Sequence, residues 1–279
     1  MGRPMAGHLQ AGGHQLYLVK HRSSLPEELL KGGAVECRSA KEVAEQAEII
    51  ITIVPDTPQV EQALFGEDGV AAGLSPGKLV IDMSSISPME TKSFAAKVNE
   101  LGCDYLDAPV SGGEVGAKGA TLTIMVGGSE AAFEKAKPIF ELMGKNITLV
   151  GDNGAGQTCK VANQIIVALT IEAVGEALLF SSKAGVDPAQ VRQALMGGFA
   201  GSKILEVHGE RMIKRTFDPG FRISLHQKDL NLALSGAREL GLSLPNTATT
   251  QELFNACDRD LDHSALVKAL EMLADHQVA

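Results

Sequence analysis

The amino-acid sequence predicts an α/β protein in which a doubly wound parallel sheet is followed by an all-helical domain. Short apolar runs alternate with amphipathic segments along the first half, which is typical of repeated βα units. The run 49–54 is almost continuously apolar, as expected of a strand buried on both faces of a parallel sheet. After Gly151 the strand signals end and a long helical pattern begins. We therefore expect two domains, residues 1–151 and residues 152–279.

The individual elements follow from local signals in chain order. Short aliphatic and β-branched runs predict strands at 16–19, 49–54, 78–82, 104–108, 121–126 and 147–150. Helical patterns are found at 1–9, 40–47, 59–65, 88–101, 157–184, 188–196, 229–240 and 264–274. Ser39 can cap the helix 40–47, and Pro88 suits the first turn of the helix that it opens. Pro55 ends the strand 49–54, because proline cannot donate to a strand ladder.

The composition excludes several classes of partner. The 279 residues include 34 acidic and 25 basic side chains, and the net charge of −9 argues against nucleic acid or an anionic membrane. The four cysteines are widely spaced, without a CxxC pair or metal-ligand spacing, so we expect reduced thiols, no metal site and a cytoplasmic location. No signal-peptide pattern opens the chain, and polar residues interrupt the apolar stretch 161–180.

Two glycine-rich segments carry the chemistry. The segment DAPVSGG at 107–113 is a strand end that runs into a turn, where the Ser111 hydroxyl and the backbone N–H groups of Gly112 and Gly113 can bind an anion. An ordinary tight turn is the alternative. The segment GAGQTCKVAN at 154–163 is a helix start that places Lys160 and Asn163 on one face. A small carboxylate substrate and acid–base chemistry beside it are indicated.

The beginning of the chain resembles part of a dinucleotide-binding motif. A Rossmann-type fold opens with a strand, the sequence GxGxxG and a helix. Here residues 1–9 read as that helix, Gly2 corresponds to the third glycine, and the first strand and the other two glycines are missing. We expect this loss to expose two strand edges and to weaken NAD(P)H binding. The alternative is an ordinary first helix and no cofactor.

A basic cluster follows the first predicted strand. Lys20, His21 and Arg22 stand where NAD-specific sites usually carry an acidic residue for the ribose hydroxyl. Arg22 would suit a 2′-phosphate instead, so NADPH is expected to be tolerated or preferred. A solvated basic turn is the alternative.

The two glycine-rich segments together resemble the β-hydroxyacid dehydrogenase family, and the resemblance covers nearly the whole chain. Additional segments support it: IVPDTP at 53–58, IDMSS at 81–85, PGF at 219–221 and LHQKDL at 225–230. In such enzymes a first strand with the sequence GFIGLGIMG precedes the helix, so about ten residues would be missing here. The resemblance implies a Rossmann-type NAD(P)-binding domain and a helical domain for substrate binding and oligomerisation.

Residue roles follow from this resemblance. Lys160 matches the catalytic lysine, whose ammonium would stabilise and then protonate the oxygen of an aldehyde, and burial would lower its pKa. Asn163 would help to hold the substrate and the lysine, and Ser111, Gly112 and Gly113 would hold the substrate carboxylate. The residues implied to bind the cofactor are Gly2, Arg22, Val54, Pro55, Ser85 and Lys228.

Several of these residues have simpler explanations. Asn163 could be a satisfied polar residue between domains, and Lys228 could form a surface ion pair with Asp229. Phe221 could line the substrate site or belong to the core. His208 and His263 lack metal-ligand spacing and are expected to be structural.

The implied reaction is the reduction of tartronate semialdehyde (2-hydroxy-3-oxopropanoate) to D-glycerate by hydride transfer from NAD(P)H, a step of glyoxylate metabolism. One alternative is a 3-hydroxyisobutyrate dehydrogenase. Another is a non-catalytic, cofactor-free binding protein, because the first strand is missing. The resemblance also implies a homodimer or homotetramer packed through the helical domain, and the apolar helix 157–184 agrees with this, although burial within one chain would explain it too.

Overall fold

The structure is a computed structural model that describes residues 1–20 and 24–278. The chain divides into two compact units, Met1–Lys160 and Val161–Ala279. The division falls inside one long helix, Ala155–Lys183. The domain boundary expected after residue 151 lies just before this helix, and it stays a prediction.

The strands of the first unit form two sheets among the described residues. In chain order they are β1 (Tyr17–Val19), β2 (Val35–Cys37), β3 (Ile49–Thr52), β4 (Leu79–Asp82), β5 (Asp104–Asp107), β6 (Val110–Ser111), β7 (Leu122–Gly127) and β8 (Gly144–Gly151). Strands β1 and β2 form a parallel pair. The larger sheet has the order β3-β4-β5-β7-β6, with β8 also paired to β7.

The larger sheet is parallel only in part. Strands β3, β4 and β5 are parallel neighbours, and β8 is parallel to β7, as the sequence predicts. Strand β7 runs antiparallel to both β5 and β6, which the sequence analysis did not foresee. The reason is that β6 and β7 are close in sequence and are joined through one short helix, whereas a parallel pair needs a longer crossover.

Helices surround these strands. They are α1 (Gly2–Ala11), α2 (Glu27–Lys31), α3 (Ala40–Gln46), α4 (Thr57–Phe65), α5 (Pro88–Glu100), α6 (Gly113–Lys118) and α7 (Glu130–Glu141), with a 3-10 turn at Val70–Gly73. Side chains of Ser39, Asp56, Ser87 and Ser129 accept backbone N–H groups at four helix starts, which fixes where those helices begin. Helices α2 and α6 were not predicted because they have only 5 and 6 residues, and α7 was missed although its buried Phe133, Ala136 and Phe140 follow helical spacing.

The core of the first unit lies on both faces of the larger sheet. Consecutive residues of β4 point to opposite sides: Leu79 and Ile81 join one apolar cluster, and Val80 joins another. Every residue of β4 is buried, so this strand is covered on both faces, as the sequence predicts. The carboxyl ends of the parallel strands therefore stay at one edge of a rigid scaffold.

The second unit is helical in its described residues. Its elements are the end of α8 (Ala155–Lys183), α9 (Pro188–Leu195), α10 (Lys203–Lys214), α11 (Ile223–Glu239), α12 (Pro245–Asn255), a 3-10 turn (His263–Leu266) and α13 (Val267–Ala274). Buried Ala168, Ile171 and Leu178 of α8 pack in the core of this unit. The second half thus has the helical architecture that the sequence predicts.

Helix α8 is long and apolar enough to cross a membrane by length and composition alone. Its mean hydropathy over the best window is 1.8, and 33% of that window is buried. Core helices of globular proteins pass the same test, and one such helix is weak evidence. Because α8 supplies core residues to the second unit, we interpret it as a core helix.

Candidate active site

The start of α8 is held by a buried carboxylate. Asp107 ends β5 and is fully buried. Its Oδ1 accepts the backbone N–H of Gly154 at 2.8 Å, and its Oδ2 accepts that of Gln157 at 2.9 Å. The first N–H groups of a helix have no partner inside the helix, so a carboxylate there satisfies them and complements the helix dipole. The direction of α8 is thereby fixed one turn before Lys160.

Glycine at position 156 allows this close approach. A Cβ there would lie 2.5 Å from the Met125 carbonyl oxygen and 2.6 Å from that of Asp107. No side chain fits at such distances, so the first turn of α8 packs directly on the backbone of β5 and β7. The glycine-rich pattern of the segment 154–163 reflects this packing as well as flexibility.

A buried glutamine joins α8 to the loop after β4. The Nε2 of Gln157 donates to the Ser84 carbonyl oxygen at 2.8 Å, and its Oε1 accepts the Ile86 N–H at 3.1 Å. Ser85, a predicted cofactor residue, lies between these two backbone groups and is half-buried. The structure therefore brings the Ser85 loop and the helix that carries Lys160 together within the first unit.

The loops after β3 and β4 are also tied to each other. The N–H of Val54 donates to Ser84 Oγ at 2.9 Å, and Ser84 N–H donates to Asp82 Oδ1 at 3.1 Å. Thr52 Oγ1 donates to the same oxygen at 2.8 Å. Burial raises the pKa of Asp82, partly offset by these hydrogen bonds, and the neighbouring carboxylate of Asp107 raises it further.

Three predicted cofactor residues lie at the carboxyl-terminal edge of the parallel strands. Val54 and Pro55 follow β3, and Ser85 follows β4, where ligands of open α/β sheets bind. Pro55 is exposed, so this rim is accessible. Gly2 opens α1 beside it, and a Cβ there would lie 3.0 Å from Ile53 Cγ2, so glycine relieves a tight contact between α1 and the segment after β3. Arg22 lies outside the described residues.

The predicted anion turn has the backbone that such a turn needs. Ser111 ends β6 opposite Thr123, and α6 begins at Gly113. Gly112 has φ of +126° and Gly113 has φ of +60°, which only glycine adopts readily. Ser111 and Gly113 are half-buried and Gly112 is exposed, so the N–H groups of the turn are accessible.

Lys160 is the last residue of the first unit, and its side chain is only 7% exposed. A lysine is rarely buried to this extent without a partner or a role. Its position on α8 is set by the Asp107 contacts one turn earlier. At this degree of burial, Lys160 is not an ordinary surface lysine of a helix.

The second unit groups two other predicted site residues. Asn163 Nδ2 donates to Gln164 Oε1 at 2.8 Å, and Gln164 Nε2 donates to Asp229 Oδ2 at 2.5 Å. The Nζ of Lys228 lies 2.7 Å from Asp229 Oδ1. The ion pair that was the alternative explanation for Lys228 is therefore present, although it is largely shielded from solvent, with the Lys228 side chain 17% exposed. The side chains of Asp229 and Gln164 thus connect Lys228 to Asn163.

A row of three histidines continues from Gln164 in the same unit. His226 Nε2 lies 3.2 Å from the Gln164 carbonyl oxygen and must donate to it. With His226 and His263 neutral, His263 Nδ1 then donates to His226 Nδ1 at 3.0 Å, and His208 Nε2 donates to His263 Nε2 at 3.2 Å. His208 Nδ1 faces Asp262 Oδ1 at 3.7 Å, and a proton on that nitrogen interacts favourably with the carboxylate. Burial and the neighbouring imidazoles hold the pKa of His263 well below its usual range.

Asp262 ends this row in a dense set of donors. The backbone N–H of Gly220 and that of Phe221 donate to its Oδ2 at 2.9 Å and 3.2 Å, and Arg211 Nη1 lies 2.8 Å from the same oxygen. Burial alone would raise the pKa of Asp262, but His208, His263 and Ser264 hold it well below its usual range.

This row has metal-ligating residue types without the features of a metal centre. One ligand atom from each of His208, Asp262 and His263 lies within 4.8 Å of the others. However, the carboxylate already accepts several hydrogen bonds and pairs with the Arg211 cation, which disfavours a second cation. We interpret the row as a structural hydrogen-bonded chain, and a structural role for His208 and His263 stays a prediction.

Sequence reasoning did not assign roles to Asp107, Gln157 or Asp262. Gln157 lies one turn before Lys160 in the glycine-rich helix start, and Asp107 opens the DAPVSGG segment. Both residues therefore lie inside the two glycine-rich segments, and their positions could have indicated a role in the site. Their partners at 84–86 and 154–157 are distant in sequence, so the contacts themselves required the fold.

Comparisons with known proteins agree with this geometry. A family model described as the NAD binding domain of 6-phosphogluconate dehydrogenase matches residues 1–151. A second, described as NAD-binding of NADP-dependent 3-hydroxyisobutyrate dehydrogenase, matches residues 154–270. The chain therefore carries NAD(P)-binding domains.

Individual relatives extend the match to the full chain. The 2-hydroxy-3-oxopropionate reductase of Escherichia coli (strain K12) is 67% identical, over all of this chain and 97% of the relative. The structure of 3-hydroxyisobutyrate dehydrogenase from Mycobacterium tuberculosis with L-serine has a TM-score of 0.88 and 32% identity, covering 97% of this chain and 95% of that one. A 3-hydroxyisobutyrate dehydrogenase from Salmonella typhimurium has a TM-score of 0.84 and 30% identity, covering 96% and 95%.

The parallel strands, the lysine-bearing helix and these matches agree with one another. This chain belongs to the β-hydroxyacid dehydrogenase family and is an NAD(P)-dependent oxidoreductase.

Proposed function

We propose that this enzyme reduces tartronate semialdehyde to D-glycerate. The observation that carries the proposal is the 67% identity to the 2-hydroxy-3-oxopropionate reductase of Escherichia coli, which extends over the whole chain. The buried lysine at the start of α8 and the glycine turn after β6 give this reaction the groups that it needs.

Lys160 supplies the proton. Reduction of an aldehyde develops negative charge on its oxygen, and a lysine ammonium within hydrogen-bond reach stabilises that charge and then protonates the oxygen. Because Lys160 is 7% exposed, water competes weakly for its protons. The contacts of Asp107 with the start of α8 hold the backbone that carries the lysine in place.

The substrate carboxylate binds to the turn formed by Ser111, Gly112 and Gly113. Successive N–H groups of a left-handed turn converge on an anion, and the serine hydroxyl adds a further donor. Asn163 donates to the substrate hydroxyl or carboxylate. Its side chain is oriented by its bond to Gln164, which leaves one amide proton and the carbonyl oxygen for the substrate.

NAD(P)H, when bound, supplies the hydride that reduces the aldehyde carbon. The residues that would hold it are Gly2, Arg22, Val54, Pro55, Ser85 and Lys228. The hydrogen bond from Val54 to Ser84 keeps the loops after β3 and β4 at a fixed separation. Arg22 would bind the 2′-phosphate of NADPH, so the enzyme uses NADPH at least as well as NADH.

The enzyme acts in the cytoplasm, in glyoxylate metabolism, as a homodimer or homotetramer. Exposed apolar side chains on α8 support self-association: Ile166 is 66% exposed and Phe180 is 78% exposed. Such side chains on one long helix are typical of a surface that another copy covers. Light scattering of the purified protein tests this, and a monomer across the micromolar range would contradict it.

The test is a substrate comparison. Purified enzyme is given tartronate semialdehyde, methylmalonate semialdehyde and, in the oxidative direction, 3-hydroxyisobutyrate, each with both coenzymes. We expect kcat/KM for tartronate semialdehyde to exceed the others by at least about tenfold, because one misplaced polar or apolar group costs 1–3 kcal/mol. A preference for 3-hydroxyisobutyrate would instead assign the chain to the activity named for its structural neighbours. Absence of turnover with every pair would contradict the proposal.

A further inference from the structure

Gln157 is a buried polar residue of the first unit whose contacts the reaction does not yet explain. Its side-chain amide bonds to the Ser84 carbonyl and the Ile86 N–H, the two groups that flank Ser85. One amide therefore fixes the backbone on both sides of that serine. Gln157 is fully buried, so water does not compete for either bond.

The backbone of Gln157 is anchored as firmly as its side chain. Its N–H donates to Asp107 Oδ2 at 2.9 Å, and the residue lies three positions before Lys160 on α8. Because residues three apart lie on the same face of a helix, the side chains of Gln157 and Lys160 share one side of α8. A displacement of the Ser85 loop would therefore move the turn of α8 that carries Gln157 and Lys160.

We propose that Gln157 is a positioning residue that holds the Ser85 loop in register with Lys160. This inference rests on the proposed function, in which Ser85 lies beside the nicotinamide and Lys160 protonates the aldehyde oxygen. Hydride and proton go to the two ends of one C=O bond, so their donors must be kept at a fixed separation. A misplacement of about 1 Å in such an arrangement costs about 100-fold in rate.

The chemistry of the contact fits glutamine. The loop presents one acceptor, the Ser84 carbonyl, and one donor, the Ile86 N–H, and a primary amide of this length matches both at any pH. Asparagine is one methylene too short. Ionised glutamate would place an oxygen against the Ser84 carbonyl oxygen, and methionine fills the same volume with no hydrogen bond.

The first test is Gln157→Met, with Gln10→Met as its matched control. Gln10 also bonds a backbone carbonyl in the first unit, that of Leu29 at 2.9 Å, but lies on α1 away from α8. We expect kcat of Gln157→Met to fall about 10- to 100-fold, measured well below its melting temperature and with KM for the aldehyde little changed. Gln10→Met should keep the kcat of the wild type.

The second test is Gln157→Glu across a range of pH. A protonated carboxyl group accepts from Ile86 and donates to Ser84 as the amide does, whereas the ionised form cannot. Burial raises the pKa of such a carboxyl, so protonation is expected near neutral pH. The ratio of kcat for Gln157→Glu to that of the wild type should therefore rise as pH falls from about 8 to about 6, while the ratio for Gln157→Met stays flat.

A third measurement does not depend on turnover. Hydrogen exchange of the Ile86 amide should be faster in Gln157→Met than in the wild type and unchanged in Gln10→Met. Wild-type kcat in Gln157→Met, or unchanged exchange at Ile86, would overturn the role of Gln157 alone. Absence of turnover in the wild type would overturn the proposed function and this role with it, so the two failures are distinguishable.

Discussion

Asp107 in the first unit and Asp262 in the second are both fully buried aspartates, yet their surroundings shift their acidity in opposite directions. Asp107 accepts two backbone N–H groups at the start of α8, and Asp262 accepts those of Gly220, Phe221 and Ser264. Burial raises the pKa of Asp107, and its N–H donors offset only part of that effect. Asp262 has its pKa well below the usual range, because imidazole and hydroxyl donors outweigh burial.

The difference in pKa shows how far backbone N–H donors alone can offset the burial of a carboxylate. Asp107 has Asp82 as its register partner on the neighbouring strand, so another acid stands beside it. Asp262 has Arg211 at 2.8 Å and His208 at 3.7 Å. The backbone N–H groups orient the Asp107 carboxylate but offset only part of its desolvation, whereas His208, His263 and Ser264 more than offset the burial of Asp262. Asp107 therefore orients the start of α8 with its desolvation only partly offset, whereas Asp262 stabilises the helical unit more strongly.

Removing Asp262 should have the largest effect on stability. Asp262→Ala leaves Arg211 and several buried N–H groups without their acceptor, and we expect the free energy of unfolding to fall by about 3–4 kcal/mol. Urea unfolding monitored by circular dichroism measures it. Asp258→Ala, at an exposed aspartate of the same unit, is the control and should change stability by less than about 0.5 kcal/mol. Equal losses in both variants would mean that the donors around Asp262 contribute nothing.

Removing the charge of Asp107 should lower the free energy of unfolding less than Asp262→Ala does, and it should also lower kcat. Asp107→Asn keeps one acceptor for α8 but turns an amide donor toward the other N–H, and we expect a loss of about 1–2 kcal/mol. Because the first turn of α8 shifts, kcat should fall about tenfold. Full kcat together with a loss larger than that of Asp262→Ala would invert the comparison.

The pH dependence should differ in sign between the two residues. The raised pKa of Asp107 means that the folded protein holds a proton that the unfolded chain has released, so its contribution to stability falls as pH rises through the folded pKa. The lowered pKa of Asp262 means that its contribution is complete above its unfolded pKa and is lost as pH falls below about 4.

Unfolding of the wild type and the variants Asp107→Asn and Asp262→Asn between about pH 3 and pH 8 measures this. The stability advantage of the wild type over Asp107→Asn should grow on acidification. Its advantage over Asp262→Asn should shrink. Curves with the same slope would show that the surroundings of the two carboxylates do not differ as described.

The sequence predicted those parts of the fold that depend on local pattern. The apolar run at 49–54 and the capped start at Ser87 specify a strand and a helix by themselves. The antiparallel direction of β7 and the short helix α6 were not predicted, because strand direction depends on a partner that periodicity does not identify. Position 160 was recognisable from its motif, whereas the contacts of Asp107 and Gln157 join segments about fifty or more residues apart.

The central claim is that the lysine held by Asp107 and Gln157 protonates the aldehyde oxygen. The most direct test is the single-turnover rate of NADPH oxidation with tartronate semialdehyde for Lys160→Ala, with Lys31→Ala, at an exposed helix lysine, as the control. We predict a decrease of about 10²- to 10⁴-fold for Lys160→Ala with unchanged unfolding, and no decrease for the control. A rate for Lys160→Ala within a few-fold of the wild type would contradict the account.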